Sequence, residues 1–272
     1  MAMINAYRMD GLGNDFIIID RRENSIEIKK NKIIELGNRA NIGFDQIIFI
    51  EKQKEGFYPI TIYNSDGGEV SACGNGARCV AYLLSENLNT KKIQIKTNNR
   101  LINAKIVGDF HVELEMGKPL FGLEEIPLSK KIDPRNVVLN INNQTFSEGF
   151  CVNVGNPHII FFGKNYFKYD LKVIGPKIEH HDLFPEKTNV TFADVIDKNN
   201  IKVSVWERGA GLTKACGTAA CAAAVASFSK NLTEREVHIA FDQGSLKIEY
   251  DSDKNIFMAG PVSKIKKVDI SI

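Results

Sequence analysis

Ala72-Cys73-Gly74-Asn75-Gly76-Ala77-Arg78 and Ala215-Cys216-Gly217-Thr218-Ala219-Ala220 are two versions of one word, set 143 residues apart. Each leads into a proline-free, alanine-rich run, Asn75 to Leu84 and Thr218 to Ser229. Both runs read as buried helices that open just after their cysteine. Other landmarks keep the spacing. Gly13-Asn14-Asp15-Phe16-Ile17-Ile18 matches Gly155-Asn156-Pro157-His158-Ile159-Ile160 at an offset of 142, and Gln46-Ile47-Ile48-Phe49 matches Asn189-Val190-Thr191-Phe192 at 143. Asn64 stands opposite Glu207, again at 143, each nine residues before its cysteine. Landmarks in one order at near-constant offset imply a duplicated unit.

Two like halves agree with the length, since single cores usually split beyond about 250 to 300 residues. Gly117-Lys118-Pro119 supplies breaker residues for a boundary between Gly117 and Pro127. Phe16 to Asp20, Gln46 to Glu51, Tyr58 to Tyr63, Ile201 to Trp206 and Leu246 to Tyr250 read as strands. The class is therefore mixed α/β (α+β), with a sheet wrapped around one apolar helix in each half.

Thirty-five Lys and Arg against 33 Asp and Glu leave a formal charge of +2, with no like-charge block to mark a nucleic-acid partner. The composition, 43% hydrophobic and 25% charged, is that of a globular protein and excludes disordered and collagen-like chains. The longest apolar stretch, Ala219 to Phe228, falls short of the roughly 20 residues a membrane span needs. Arg8 and Asp10 interrupt the region where an export signal would place its apolar core. A cytoplasmic protein with no membrane partner is expected. Five cysteines, an odd number over a long chain, argue for reduced thiols rather than a disulfide scaffold.

The chemistry centres on two of those thiols. A free thiol has a pKa of about 8.5, lowered to about 3.5 to 7.5 at a helix N-terminus. Unpaired N–H groups of the first turn and the peptide dipoles favour negative charge there, so Cys73 and Cys216 are expected to be acidic. The glycine after each lets a ligand approach the backbone, and an anionic group can bind the same N–H groups. Cys79, Cys151 and Cys221 read as small buried hydrophobes. No Cys-x-x-Cys is present and His180-His181 is not a ligand spacing, so no metal is expected. Gly11-Leu12-Gly13 and Gly209-Ala210-Gly211 lack the rest of a phosphate-binding loop.

Two equivalent thiols in a cleft between pseudo-symmetric halves suit inversion of a carbon α to a carboxylate, one removing a proton and the other donating one. Asn14, Gln46, Asn64, Asn156, Asn189, Glu207 and Arg208 are polar where a core would be apolar. Arg208, opposite Ser65, suits a second carboxylate, and Glu207 suits an ammonium. A small-molecule substrate with an amino-acid group at both ends fits. A non-catalytic amino-acid-binding module and a thiol redox protein remain as readings of another class.

Met9-Asp10-Gly11-Leu12-Gly13-Asn14-Asp15-Phe16, the Cys73 word, Gly155-Asn156-Pro157-His158, Trp206-Glu207-Arg208-Gly209 and the Cys216 word together resemble the diaminopimelate epimerase family, from the first strand to Gly260-Pro261. The resemblance implies a cytoplasmic isomerase, independent of pyridoxal phosphate or any other cofactor, that interconverts LL- and meso-diaminopimelate for lysine and peptidoglycan synthesis. It implies Cys73 and Cys216 as the acid/base pair, with His158 and Glu207 assisting. Gly74-Asn75 and Gly217-Thr218 would hold the reacting carboxylate by backbone N–H groups, and Asn14, Gln46, Asn64, Asn156, Asn189, Glu207 and Arg208 would bind the rest. It further implies two pseudo-symmetric halves, residues 1–117 with 262–272 and residues 118–261, each a curled, mostly antiparallel sheet or barrel around a central helix.

The chain departs from the family pattern at Asp10, where many members have His, and at Thr218, where many have Ser. The resemblance allows a homodimer, but the tail from Val262 to Ile272 lacks an aromatic that some members use at that contact. The nearest rival is another cofactor-free racemase, of proline or hydroxyproline. A monocarboxylate imino acid would leave Arg208, Asn64, Asn156 and Asn189 unpaired, which is costly when buried.

Overall fold

The computed structural model describes residues 3–24, 26–71, 73–98 and 100–272; Ala72, first residue of the first cysteine word, lies outside them. The chain forms two compact units, Met1–Glu115 with Ala259–Ile272, and Met116–Met258.

In the first unit the elements run β1 (Met3–Gly11), β2 (Asn14–Asp20), α1 (Lys30–Gly37), β3 (Gln46–Ile50), β4 (Tyr58–Asn64), β5 (Glu69–Val70), α2 (Gly74–Leu88), β6 (Lys92–Lys96), β7 (Leu101–Gly108) and β8 (His111–Gly117). β1 and β2 are antiparallel, β2 and β3 parallel, β3 and β4 antiparallel, and β4 and β6 parallel, with β7 and β8 continuing antiparallel. The short β5 pairs with the end of β4. Each parallel link needs a crossover, and α1 and α2 supply the two.

Every residue of α2 from Asn75 to Ser85 is buried, and the helix packs on β1, β2, β6 and β7. A helix buried on all sides is one that the sheet encloses. Phe16 to Ile19 and Ile47 to Ile50 are almost wholly buried because they pack on both faces. Ile17, Ile19, Ile47 and Phe49 form one core with Ile33 and Leu36 of α1. The other face meets α2 at Gly76, where an added Cβ would lie 2.6 Å from Ile48 Cδ1 and 3.4 Å from Phe16 Cε1.

The second unit repeats the plan with β9 (Val137–Ile141), β10 (Gln144–Asn153), β11 (Pro157–Phe162), α3 (Leu171–Glu179), β12 (Asn189–Asp197), β13 (Asn200–Glu207), β14 (Gly211–Thr213), α4 (Gly217–Ser229), β15 (Glu236–Phe241) and β16 (Gly244–Tyr250); β17 (Ile256–Pro261) follows. β10 to β11 is antiparallel, β11 to β12 parallel, β12 to β13 antiparallel, β13 to β15 parallel and β15 to β16 antiparallel. β14 pairs with the end of β13, as β5 does with β4. Inside lies α4, buried from Ala219 to Ser227 and packed on β10, β11, β12, β15 and β16. Its alanines let strands close tightly on it. Outside, Leu171, Ile174 and Ile178 of α3 join Phe146, Phe161 and Phe192 in a second core. β18 (Lys266–Ser271) then pairs antiparallel with β1 in the first unit.

The five strands and two helices expected from patterning are present, each within a few residues of its expected ends. The crossover helices α1 and α3 were not anticipated. α1 buries only Ile33, Leu36 and Gly37 and has no side-chain cap, while α3 carries Gly175-Pro176. Gly175 has a packing reason, since a Cβ there would meet Trp206 Cγ at 2.6 Å.

Candidate active site

Each unit carries one half of the expected set of residues. In the first, they lie at the same end of three neighbouring strands, Asn14 and Gln46 at the starts of β2 and β3 and Asn64 at the end of β4. Gln46 pairs with Phe16 in the parallel ladder and with Asn64 in the antiparallel one. Gln46 Nε2 donates to Asn64 Oδ1 at 3.0 Å, whereas Gln46 Oε1 is buried with no protein partner and is open to a ligand N–H. Asn14 Nδ2 donates to Asp45 Oδ2 at 3.1 Å, and the Cys73 thiol lies 3.6 Å from Asn14 Oδ1. Cys73 is the N-cap of α2, in extended conformation, and its sulfur accepts from Gly76 N at 3.4 Å.

A charged network that sequence reasoning did not identify holds Asn14 in place. Arg39 bridges Asp15 at 2.8 and 2.9 Å and also binds Asp45, while Arg8 reaches Asp15 at 3.1 Å. Burial works against ionising Asp15, but the hydrogen bonds and charges of these partners hold its carboxyl below the usual range.

In the second unit, His158 pairs with Asn189 in the parallel ladder, the register that Phe16 and Gln46 occupy in the first. His158 is completely buried, and its Nε2 lies 2.8 Å from Asn156 Oδ1. Nε2 therefore carries the proton, and Nδ1 is left buried without a protein partner. Burial, then the charge of Arg208, pushes the imidazole down to about 3, so it stays neutral. Asn189 spends its amide on the backbone, donating to Pro157 O at 2.7 Å and accepting from Arg208 N at 2.9 Å. Arg208 Nη1 donates to Glu186 O at 2.9 Å, leaving the rest of an exposed guanidinium available.

Cys216 is the extended N-cap of α4, with Sγ 3.4 Å from Thr218 Oγ1. The expectation of an acidic thiol does not hold here. Burial first, then the neighbouring Glu207 carboxylate, hold Cys216 well above the ordinary thiol value. Burial likewise pushes Glu207 up, opposed by hydrogen bonds with Thr213 and Cys216. Cys79 and Cys151 are pushed up by burial alone or chiefly by burial, and Cys221 is fully buried.

Both helix starts share one geometry. The first intrahelical bonds are Ala77 N to Cys73 O at 2.9 Å and Ala220 N to Cys216 O at 3.1 Å. The N–H groups of Gly74, Asn75, Gly217 and Thr218 belong to the first turns, ahead of those bonds and at the positive end of each helix. Glu179 buttresses the second half-site, accepting from Trp206 Nε1 at 2.7 Å and Gly209 N at 3.0 Å on either side of Glu207-Arg208. An acidic residue at the end of an apolar helix was the only signal for it. Among the described residues no His, Cys, Asp and Glu cluster could hold a metal ion, and no helix is long and apolar enough to cross a membrane.

Two α+β repeats, each a sheet around a helix that starts at a cysteine, define a fold seen in other proteins. A Bacillus anthracis phenazine biosynthesis protein of the PhzF family superposes with a TM-score of 0.69 over 100% of both chains at 14% identity. A hydroxyproline epimerase from Agrobacterium vitis gives 0.67 over 98% of this chain and 93% of its own, at 11%. At such identities the likeness is one of fold. A family model described as diaminopimelate epimerase matches residues 6–121 and 150–265, and the diaminopimelate epimerase of Pelagibacter ubique (strain HTCC1062) is 52% identical over 99% of both chains. The chain belongs to the diaminopimelate epimerase family, an isomerase family.

Proposed function

We propose that the protein is a diaminopimelate epimerase, inverting one α-carbon of a small diamino diacid without a cofactor and so interconverting the LL and meso forms. The observation that carries this reading is the pair of cysteines at equivalent helix starts in a chain of this family. One sulfur, as thiolate, takes the α-proton from one face of the carbon. The other, as thiol, gives a proton to the opposite face, so the enzyme ends each turnover with the two protonation states exchanged. No electrons are transferred.

The carboxylate next to the reacting carbon gains charge as the proton leaves. N–H groups of Gly74-Asn75 and Gly217-Thr218 would meet it, each set at the positive end of a helix. A partly buried helix end is worth up to about 2 kcal/mol. Two such ends therefore lower the α-proton pKa by about three units. Close hydrogen bonding and exclusion of water must supply the rest. Glu207 beside Cys216 keeps that thiol protonated and ready to donate, and the bare Nδ1 of neutral His158 is an acceptor for a thiol or a substrate N–H. Arg208 suits the distal carboxylate. Gln46 Oε1 suits the distal ammonium, alongside Asn14, Asn64, Asn156 and Asn189.

We infer a cytoplasmic enzyme of lysine and peptidoglycan precursor synthesis. Proton NMR in D2O tests the reading, with reduced protein and LL-diaminopimelate in one tube and L-proline in another. Deuterium at the α-position of diaminopimelate, with the meso form appearing, is the expected result. Exchange in proline alone would overturn the substrate, and exchange in neither would overturn the catalytic reading. Cys73→Ala and Cys216→Ala should each abolish epimerisation while leaving the circular dichroism unchanged; near-native turnover in either removes that cysteine from the acid/base pair.

A further inference from the structure

Arg78 is among the largest side chains in the molecule that are fully buried, and it sits in the second turn of α2. Its Nη2 donates to Asn75 Oδ1 at 3.0 Å. Asn75 is itself 3% exposed and is one of the two residues whose N–H groups follow Cys73. Behind both lies Gly11 at the end of β1: an added Cβ there would come 3.3 Å from Asn75 Cβ and O and 3.5 Å from Arg78 Nη2. Arg78, Cys73 and Asp10 each act electrostatically on the buried Cys79 of the next position, which puts all three around one point of the helix start.

The duplication supplies an internal control. At the offset of 143 the counterpart of Arg78 is Cys221, also completely buried in an equivalent helix inside an equivalent sheet. A small thiol therefore serves the fold at this position. A buried guanidinium is costly unless it is well paired, and the first half keeps one directly behind its cysteine turn. The second half has the opposite arrangement, a carboxylate, Glu207, beside Cys216.

We propose that Arg78 is a positioning residue of the first half-site, fixing the Asn75 turn that would grip the carboxylate and placing positive charge behind Cys73, so that Cys73 is the sulfur that rests as base. This deepens the proposed function and rests on it for the substrate. The charge needs no substrate to be measured, because Cys73 is half-buried while the other four cysteines are buried, and iodoacetamide followed by peptide mapping reads it selectively.

Three variants separate the parts. Arg78→Met removes both bond and charge, Arg78→Lys keeps the charge without the planar fork, and Gly11→Ala crowds Asn75 while leaving Arg78 intact. Arg78→Met should lower kcat/KM for LL-diaminopimelate about 10²-fold, the scale of a misplaced catalytic geometry, and slow Cys73 alkylation at neutral pH. Arg78→Lys should restore alkylation to near the native rate but leave KM raised, and Gly11→Ala should raise KM with native alkylation. Folded Arg78→Met with native kcat/KM and alkylation would overturn the proposal. So would Arg78→Lys alkylated as slowly as Arg78→Met. Should Arg78→Met fail to fold, Arg78→Lys and Gly11→Ala decide the matter: native KM in both overturns it. If the wild-type protein does not turn over diaminopimelate, the functional reading fails, and the alkylation rates still decide the role of the charge.

Discussion

Gly76→Ala is the sharpest test of how the first half-site is built. Alanine is favoured over glycine inside a helix by about 0.8 to 1 kcal/mol, so on an open helix the change would stabilise. Here the new Cβ would lie 2.6 Å from Ile48 Cδ1, and Ile48 is completely buried on a strand packed on both faces. The Ile48 side chain cannot swing aside without displacing its neighbours, and overpacking of this kind costs about 1 to 3 kcal/mol. The net expectation is a loss of up to about 2 kcal/mol, or a fall in Tm of about 2 to 4 °C per kcal/mol. Activity should fall further than stability, because Gly76 N is the donor at 3.4 Å to Cys73 Sγ and moves with the helix. Ile48→Val deletes the offending methyl. Alone it should cost about 0.5 to 1.5 kcal/mol, but combined with Gly76→Ala it should recover both activity and most of the stability. Urea denaturation of the four proteins gives the coupling, expected at about 1 kcal/mol or more. An additive cycle, or a single Gly76→Ala variant as stable and active as the parent, would refute the reasoning.

Other consequences are open to measurement. His158 is buried neutral with its pKa lowered to about 3, while an unfolded histidine titrates at about 6.5, so the unfolded state binds the extra proton as pH falls and stability drops across that window. Replacing His158 with Gln should flatten the acid limb of stability by up to about 1.4 kcal/mol per pH unit; an unchanged slope in urea titrations would disprove the assignment. Glu207→Gln removes a negative charge beside Cys216, so that thiol should titrate lower and the alkaline limb of kcat/KM should move to lower pH; an unmoved limb contradicts it. Glu179→Gln keeps one acceptor oxygen where Glu179 has two, so one of the part-buried donors Trp206 Nε1 and Gly209 N loses its partner, at a cost of about 1 kcal/mol. Trp206 is the only tryptophan, so its fluorescence should redden in that variant, and an unchanged spectrum with unchanged stability counts against the buttress.

The repeat was legible in the sequence because its landmarks are chemical: cysteine-glycine at a helix start, and a polar residue at the edge of an apolar strand. Those features survive duplication with little change in spacing, and strand register sets Gln46 opposite both Phe16 and Asn64, with Asn14 at the start of the strand that carries Phe16. The crossover helices were not legible, because α1 is short, buries only Ile33, Leu36 and Gly37 and ends on a glycine, while α3 carries the breaker pair Gly175-Pro176 in its middle. The state of Cys216 was also beyond reach. A helix N-terminus argues for an acidic thiol, and only the fold reveals that burial and Glu207 overrule it. Arg78 did leave a trace, a lone cation inside the apolar run Ala77 to Leu84, but nothing in the sequence says that it points inward.

The two halves fold alike, so equivalent buried positions that differ in polarity separate what the fold needs from what it carries for another reason. Phe16 and His158 occupy the same register and are both completely buried. Phenylalanine satisfies the sheet at no polar cost, whereas histidine there leaves Nδ1 buried and bare, a cost of the order of 1 to 3 kcal/mol that packing never recovers. The same holds in reverse at Arg78 and Cys221, where the first half carries the expensive residue. Asn64 and Glu207, both half-buried, are a third pair that differs in charge, with the carboxylate in the second half. One half carries a buried cation bonded to the turn that follows its cysteine, the other a carboxylate beside its thiol and a buried neutral imidazole. A symmetric scaffold with two equal thiols would leave either sulfur equally ready to act first. On the proposed two-thiol mechanism the unequal surroundings remove that degeneracy, and each costs stability that its twin does without.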